Sequence, residues 1–106
     1  MEVSYTEKEI QELVEEILEE CYDRDEQEEA MHDYLQFELD IPFTFTYLGK
    51  KWKAEKVDFH LNRLKVVQLI NNEENFIEFT DITISNDYTK NIKLQQVYIS
   101  FLKDLS

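Results

Sequence analysis

Apolar residues recur at helical spacing in two stretches within the first forty residues. The first stretch follows a capping box at Thr6–Glu9, and the second follows Asp25, which we interpret as a helix N-cap. Pro42 disfavours helix at the preceding residue, so the second helix should end around residues 37–39. Only residues 22–24 separate the two helices, which predicts a tight helical hairpin. The apolar positions are Ile10, Leu13, Val14, Ile17, Leu18 and Cys21, then Ala30, Met31, Tyr34 and Leu35.

After Pro42 the apolar period changes from 3.6 to 2, which is the period of a β-strand. Residues 43–47 alternate in this way, and Gly49 follows in a turn that favours positive φ. The next strand opens at Trp52, but its inward parity shifts near residues 55–56, which predicts a bulge or bend. Further strands are expected over 64–70, 76–79 and 82–84.

A last helical stripe closes the chain, with Thr89 or Asn91 as its cap. We therefore expect a single α+β domain over residues 1–106. It should comprise an acidic helical hairpin (1–40), a strongly bent antiparallel sheet of four to five strands (42–85) and a C-terminal helix (89–105). An SH3-like partial barrel, with the helices over its apolar face, fits this order of elements. The stripe consists of Leu94, Val97, Tyr98, Phe101, Leu102 and Leu105.

The charge is concentrated at one end of the molecule. The net charge is −13, and residues 1–40 alone contain 16 acidic and two basic side chains, whereas the remainder is nearly neutral. Such a surface repels nucleic acid and anionic lipid, and it attracts cations or a basic protein. No apolar run approaches the roughly 20 residues of a membrane helix. With one cysteine and no signal-peptide pattern, we expect a cytoplasmic protein, with a monomer favoured.

The chain offers no recognisable catalytic constellation. It has a single glycine, so a phosphate-binding loop is excluded, and it lacks the CxxC and HExxH motifs. Cys21 lies on the apolar stripe of the first helix, where a buried thiol is unreactive. We expect His32 on the solvated side of the second helix and His60 on the surface of the sheet. The protein is therefore predicted not to be an enzyme.

Carboxylates are crowded where the two acidic helices meet. Calcium takes six to eight oxygen ligands in a forgiving geometry, so this corner is a candidate calcium site. It is not an EF-hand, because the required spacing and glycine are missing. A solvated helix face, or an acidic module that binds a basic partner by mimicking nucleic-acid phosphate (an inhibitor or immunity type of protein), stay open as alternatives. The candidate ligands are Glu19, Glu20, Asp23, Asp25, Glu26, Glu28 and Glu29, joined by Asp40 only if the fold returns it to the corner.

Residues 23–45 resemble the cyanobacterial calcium-binding protein (CcbP-like) family of small acidic proteins. The matching features are the acidic segment, an E-x-A-M helix containing Tyr34-Leu35, and a Leu-x-x-Pro-Phe entry into a strand at Leu39–Phe43. The resemblance implies a shared fold and Ca²⁺ as the ligand, in the role of a buffer or sensor. The candidate ligands named above rest on local acidity, because most of the matching positions are typical of a hydrophobic core.

Overall fold

Three helices and six strands make up the part of the chain that the computed structural model describes, residues 6–60 and 63–105. The α+β class is as predicted. The elements follow in the order α1 (Glu7–Ile17), α2 (Arg24–Glu38), β1 (Phe43–Tyr47), β2 (Lys50–Ala54), β3 (Lys56–His60), β4 (Arg63–Ile70), β5 (Glu73–Glu78), a 3-10 turn (Phe79–Asp81), β6 (Thr83–Ile84) and α3 (Thr89–Leu105).

The first helix starts as predicted and ends earlier than its apolar stripe. The Thr6 hydroxyl accepts a hydrogen bond from the Glu9 N–H at 3.1 Å, which is the expected N-cap. Leu18 is the C-cap, so Cys21 lies beyond the helix and is only half-buried, and the prediction of a buried helical thiol was wrong. The apolar periodicity extends past the last helical residue because Leu18, the C-cap, still packs against the core.

The second helix begins two residues earlier than predicted. Asp23, and not Asp25, is the N-cap, and its carboxylate accepts a 2.8 Å hydrogen bond from the Glu26 N–H. The sequence offers two capping boxes that start two residues apart, because an acid follows three residues after Asp23 (Glu26) and also after Asp25 (Glu28). The resulting connection is longer than predicted, and α1 packs chiefly against α3, so the two acidic helices are not a tight hairpin.

The strands form two three-stranded antiparallel sheets, ordered β2-β1-β6 and β3-β4-β5. Six strands thus replace the predicted four to five, because the strand expected from Trp52 onward divides at Glu55. The parity shift marks the point where the chain leaves one sheet for the other, and the Glu55 N–H donates to the Val67 carbonyl at 3.0 Å. The SH3-like arrangement stays a prediction.

Two-residue turns with positive φ close the β1–β2 and β4–β5 hairpins. Leu48 and Gly49 have φ of 51° and 79°, which confirms the expected role of the glycine. Asn71 and Asn72, at 53° and 66°, form the second turn, and β5 begins at Glu73, earlier than the strand predicted over 76–79. Asparagine tolerates this conformation better than most residues.

Helix α3 supplies the centre of the core. Leu94, Val97, Tyr98 and Phe101 are buried, as its stripe predicted. Asn91 is buried too, and it is not a cap. Its side-chain oxygen accepts a hydrogen bond from the Asp40 N–H, and its side-chain nitrogen donates to the Asp40 carbonyl, both at 2.9 Å. The described helices include none that is long and apolar enough to cross a membrane.

The Tyr98 hydroxyl is fully enclosed and accepts a hydrogen bond from the Leu64 N–H at 3.0 Å, which ties α3 to β4. Replacing Tyr98 with Phe leaves that buried N–H without a partner, so we expect a loss of about 1–3 kcal/mol in the free energy of unfolding. Urea denaturation measures it. Tyr22→Phe is the matched control, since Tyr22 is 90% exposed. Equal stability of the Tyr98 variant and the control would contradict this role.

Candidate metal centre

Four carboxylates border one cleft beside the N-terminal half of α2. The helix carries acids at 25, 29 and 33, which lie four residues apart and so share one face, and Glu28 lies on the adjacent row. Strand β3 packs beside α2 and closes the other wall. We call this cleft of about 270 Å³ the acidic cleft, and its lining residues are Asp25, Glu28, Glu29, His32, Asp33 and Phe59.

The other predicted ligands near the helix junction lie outside the cleft lining. Glu19 and Glu20 are exposed in the turn after α1. Asp23 is engaged as the N-cap of α2, and the Glu26 carboxylate accepts from the Tyr22 N–H at 3.3 Å. These four side chains therefore add negative charge to the segment that leads into α2, and two of them also fix the start of the helix.

Asp40 lies at the opposite end of α2. A helix of 15 residues rises by about 22 Å, so the fold does not return Asp40 to the junction of the acidic helices. The backbone of Asp40 is held by Asn91, and its carboxylate is 4.0 Å from the Lys90 ammonium. Lys90 also pairs with Glu38 at 3.2 Å, so this end of the helix is partly neutralised.

The cleft has the donor chemistry of a calcium site without a preassembled ligand shell. Within residues 6–60 and 63–105, no three histidine, cysteine or acidic side chains are positioned together to hold a metal ion. Glu28 pairs with Arg24 at 3.2 Å, but the arginine side chain is 68% exposed, and exposed pairs contribute little. Exposed carboxylates rotate readily, so the residues fit a flexible oxygen ligand set that closes on the ion.

His32 is the unexpected member of the cleft. It is only 9% exposed, and its ring lies 3.7 Å from that of Phe59, so the prediction of a solvated histidine was wrong. Burial lowers the pKa of His32 to about 4, against the opposing pull of the Glu28 and Asp33 charges. A signal was present in the sequence: position 32 lies three residues before the buried Leu35 and so shares its face of the helix.

His60 behaves as predicted. Its side chain is exposed on β3 and stacks on Phe76 with the ring centres 4.6 Å apart. The chain thus holds two histidines with ring contacts, one inside the acidic cleft and one on the open surface of a sheet. This contrast provides a matched pair for experiments on the cleft.

Comparison with known proteins identifies the family. Two solved structures share the fold: the crystal structure of Anabaena CcbP, with a TM-score of 0.78, 14% identity and coverage of 96% of this chain and 95% of the other, and a calcium-binding protein in its calcium-binding form, with a TM-score of 0.68, 14% identity and coverage of 98% and 97%. No curated protein sequence matches significantly. The sequence model of the CcbP family, described as calcium binding, matches residues 11–104. The chain therefore belongs to the CcbP family of calcium-binding proteins.

Proposed function

We propose that the protein binds Ca²⁺ in the acidic cleft and acts as a calcium buffer or sensor. The observation that carries this proposal is that four acidic residues of α2, Asp25, Glu28, Glu29 and Asp33, line one cleft whose other wall includes Phe59. Membership of a calcium-binding family supports the choice of ion. Asp33 was not among the ligands predicted from sequence, and the other three were.

The chemistry of the cleft favours calcium over magnesium. Calcium accepts six to eight oxygens at about 2.3–2.6 Å in a flexible arrangement, whereas magnesium requires a near-ideal octahedron. Side chains on one helix face, completed by water, meet the first requirement and not the second. The positive end of the α2 dipole opposes a cation only within the first turn, and Glu28, Glu29 and Asp33 lie beyond it.

The remaining acids provide a field that concentrates the ion. Glu19, Glu20, Asp23 and Glu26 are exposed in the turn before α2 and in its first turn, and a surface of one sign raises the local concentration of counter-ions. Asp40 does not contribute at this site, because Lys90 partly neutralises it at the far end of the helix. Of the ligands predicted from sequence, Asp25, Glu28 and Glu29 thus bind the ion in this proposal. Glu19, Glu20, Asp23 and Glu26 supply only the surrounding negative charge.

Calorimetric titration of the metal-free protein with calcium tests the site. The combined variant Asp25→Asn, Glu28→Gln, Glu29→Gln, Asp33→Asn should weaken calcium binding by about tenfold or more, equivalent to about 1.4 kcal/mol. The matched control Glu9→Gln, Glu12→Gln, Glu15→Gln, Glu16→Gln removes the same charge from α1. It should weaken binding by only about two- to threefold, through the lost field. Equal losses in the two variants would contradict a site in the cleft.

A second candidate function is binding of a basic protein partner by the acidic surface. Two aromatic side chains, Tyr22 and Phe37, are 90% and 87% exposed on or beside α2, and aromatic residues are enriched at protein interfaces. This function predicts salt-sensitive association that ignores calcium. Capture of a basic protein from host lysate, with and without chelator, separates the two functions. Under the second function the chelator leaves the capture unchanged, and the double variant Tyr22→Ser, Phe37→Ser abolishes it.

Three expectations from the sequence stay predictions. The protein is expected not to be an enzyme, to be cytoplasmic and to be a monomer. The half-buried free thiol of Cys21 is compatible with a reducing compartment. Size-exclusion chromatography with and without calcium measures the oligomeric state, and a calcium-dependent shift in elution would favour a sensor over a buffer.

A further inference from the structure

A second cavity opens where the two sheets meet near their hairpin ends. Strand β2 of one sheet lies beside β4 of the other, and residues near the tips of the β1–β2 and β4–β5 hairpins line a cavity of about 390 Å³. This volume is in the range of small-molecule sites. The cavity, which we call the hairpin cavity, shares no lining residue with the acidic cleft.

The walls of the hairpin cavity continue the hydrophobic core. Tyr47 follows the buried Phe45 by two residues, and Trp52 lies directly opposite Phe45 across the β1–β2 pair, so all three share one face of the sheet. On β4, Gln68 follows the buried Val66 by two residues and shares its face in the same way. The cavity is therefore the open end of the apolar space between the sheets.

The indole N–H of Trp52 is shielded from solvent without a hydrogen-bond partner among residues 6–60 and 63–105. Buried donors are normally paired, because an unmet donor has lost its bond to water and gained none in return. Trp52 lines the hairpin cavity and is only partly buried, so a tilt of its ring toward this space brings the N–H to an acceptor that enters there. A ligand with an acceptor oxygen would therefore satisfy a donor that the described chain leaves unmet.

The charge around the hairpin cavity is opposite to that of the rest of the molecule. Residues 43–54 contain three lysines and no acid, in a chain of net charge −13. Lys50 lines the cavity and makes no ion pair within the described residues. The other polar lining includes the amides of Gln68 and Asn75, and none of the described lining residues is acidic. Such a lining favours an apolar ligand that carries a negative charge.

We infer that the hairpin cavity binds a small organic carboxylate with an aromatic or branched apolar body. Its carboxylate accepts a hydrogen bond from the Trp52 N–H and pairs with the Lys50 ammonium, while its body packs against Tyr47 and Ile77. A metal cation is excluded, because the described lining offers an ammonium group and no carboxylate. This site is independent of calcium binding, since the acidic cleft lies on α2 and β3.

Three probes with one body and different charge test the ligand class: 3-phenylpropanoate, 3-phenylpropan-1-ol and 3-phenylpropan-1-amine. Trp52 is the only tryptophan of the chain, so its fluorescence and its single indole N–H signal in ¹⁵N NMR report this cavity directly. The carboxylate should shift the indole signal in a saturable manner. The alcohol should bind about tenfold more weakly, because it lacks the charge, and the amine more weakly still.

Two lysine variants provide the matched comparison. Lys50→Gln removes the charge at the cavity and should weaken binding of 3-phenylpropanoate by about fivefold or more, measured by the amide shift of Gln68. Lys53→Gln removes the same charge from the same strand, but residue 53 lies on the other face and outside the cavity lining, so binding should change by less than about twofold. Both lysines are exposed, so both variants should fold.

Trp52→Phe keeps an aromatic ring and removes the indole N–H, so the preference for the carboxylate over the alcohol should shrink. If this variant does not fold, the lysine pair and the wild-type indole signal still decide. Equal affinity for carboxylate and alcohol, equal losses in the two lysine variants, or an indole signal that does not move at millimolar carboxylate would each overturn the inference. A chain that binds the carboxylate but not calcium would overturn only the proposed function.

Discussion

Calcium at one hundred times its dissociation constant should raise the free energy of unfolding by about 2.7 kcal/mol, because it binds the folded chain and not the unfolded one. For a domain of about 100 residues this corresponds to a rise in melting temperature of about 10 °C or more. Part of the gain is relief of repulsion among the carboxylates of the acidic cleft, which carry like charges on one helix face. Differential scanning calorimetry at several calcium concentrations measures the rise.

The variant that neutralises Asp25, Glu28, Glu29 and Asp33 provides the control for this effect. It should be more stable than wild type without calcium, because the like-charge repulsion is gone. It should also show little further stabilisation when calcium is added. Magnesium at the same concentration should stabilise wild type less, since the cleft cannot impose an octahedral shell. A melting temperature that rises equally in the variant would place calcium elsewhere.

Acidification without metal should destabilise wild type relative to His32→Phe by about 3 kcal/mol between pH 6.5 and pH 4. Burial lowers the pKa of folded His32 from 6.5 to about 4, so the unfolded chain takes up the proton first. The contribution to stability is therefore fully present above pH 6.5 and is lost as the pH falls towards 4. Urea denaturation at half-unit steps of pH in chelator-treated buffer gives the two stability curves.

Comparison of variants is essential here because the chain is highly acidic. Protonation of carboxylates relieves repulsion and changes stability in all variants, so only the difference between curves reports His32. His60→Phe is the matched control, because His60 is exposed on β3 and its ring stacks on Phe76. Parallel curves for wild type and His32→Phe would contradict a neutral, buried imidazole.

Local patterns predicted the elements well, and tertiary contacts explain where they failed. The Thr6 cap, the strand from Phe43 and the buried stripe of α3 depend on residues close in sequence, and all are present. The division at Glu55 appeared in the sequence only as a parity shift, because local periodicity does not specify that β2 pairs with β1 while β3 pairs with β4 in a second sheet. Packing of α1 against α3 likewise depends on residues about 90 positions apart, beyond the reach of periodicity.

The candidate site was predictable where local charge density determines it. Asp25, Glu28 and Glu29 were named from sequence, and all three line the acidic cleft. Asp33 was missed because the position of β3, with Phe59 as the facing wall, selects that side of α2. His32 was missed although its place three residues before Leu35 on the helix indicated a buried side chain. Asp23 and Glu26 were acidic for a local reason, the start of a helix, which composition alone does not distinguish from ion binding.

Location of calcium between α2 and β3 is the central claim, and amide NMR of the uniformly ¹⁵N-labelled protein tests it most directly. On titration with calcium in modest salt, the largest shifts should fall in residues 25–33 and at Phe59, which is distant in sequence and adjacent only through the cleft. Shifts centred on α1, shifts spread evenly over all acidic residues, or a silent Phe59 at millimolar calcium would contradict the account.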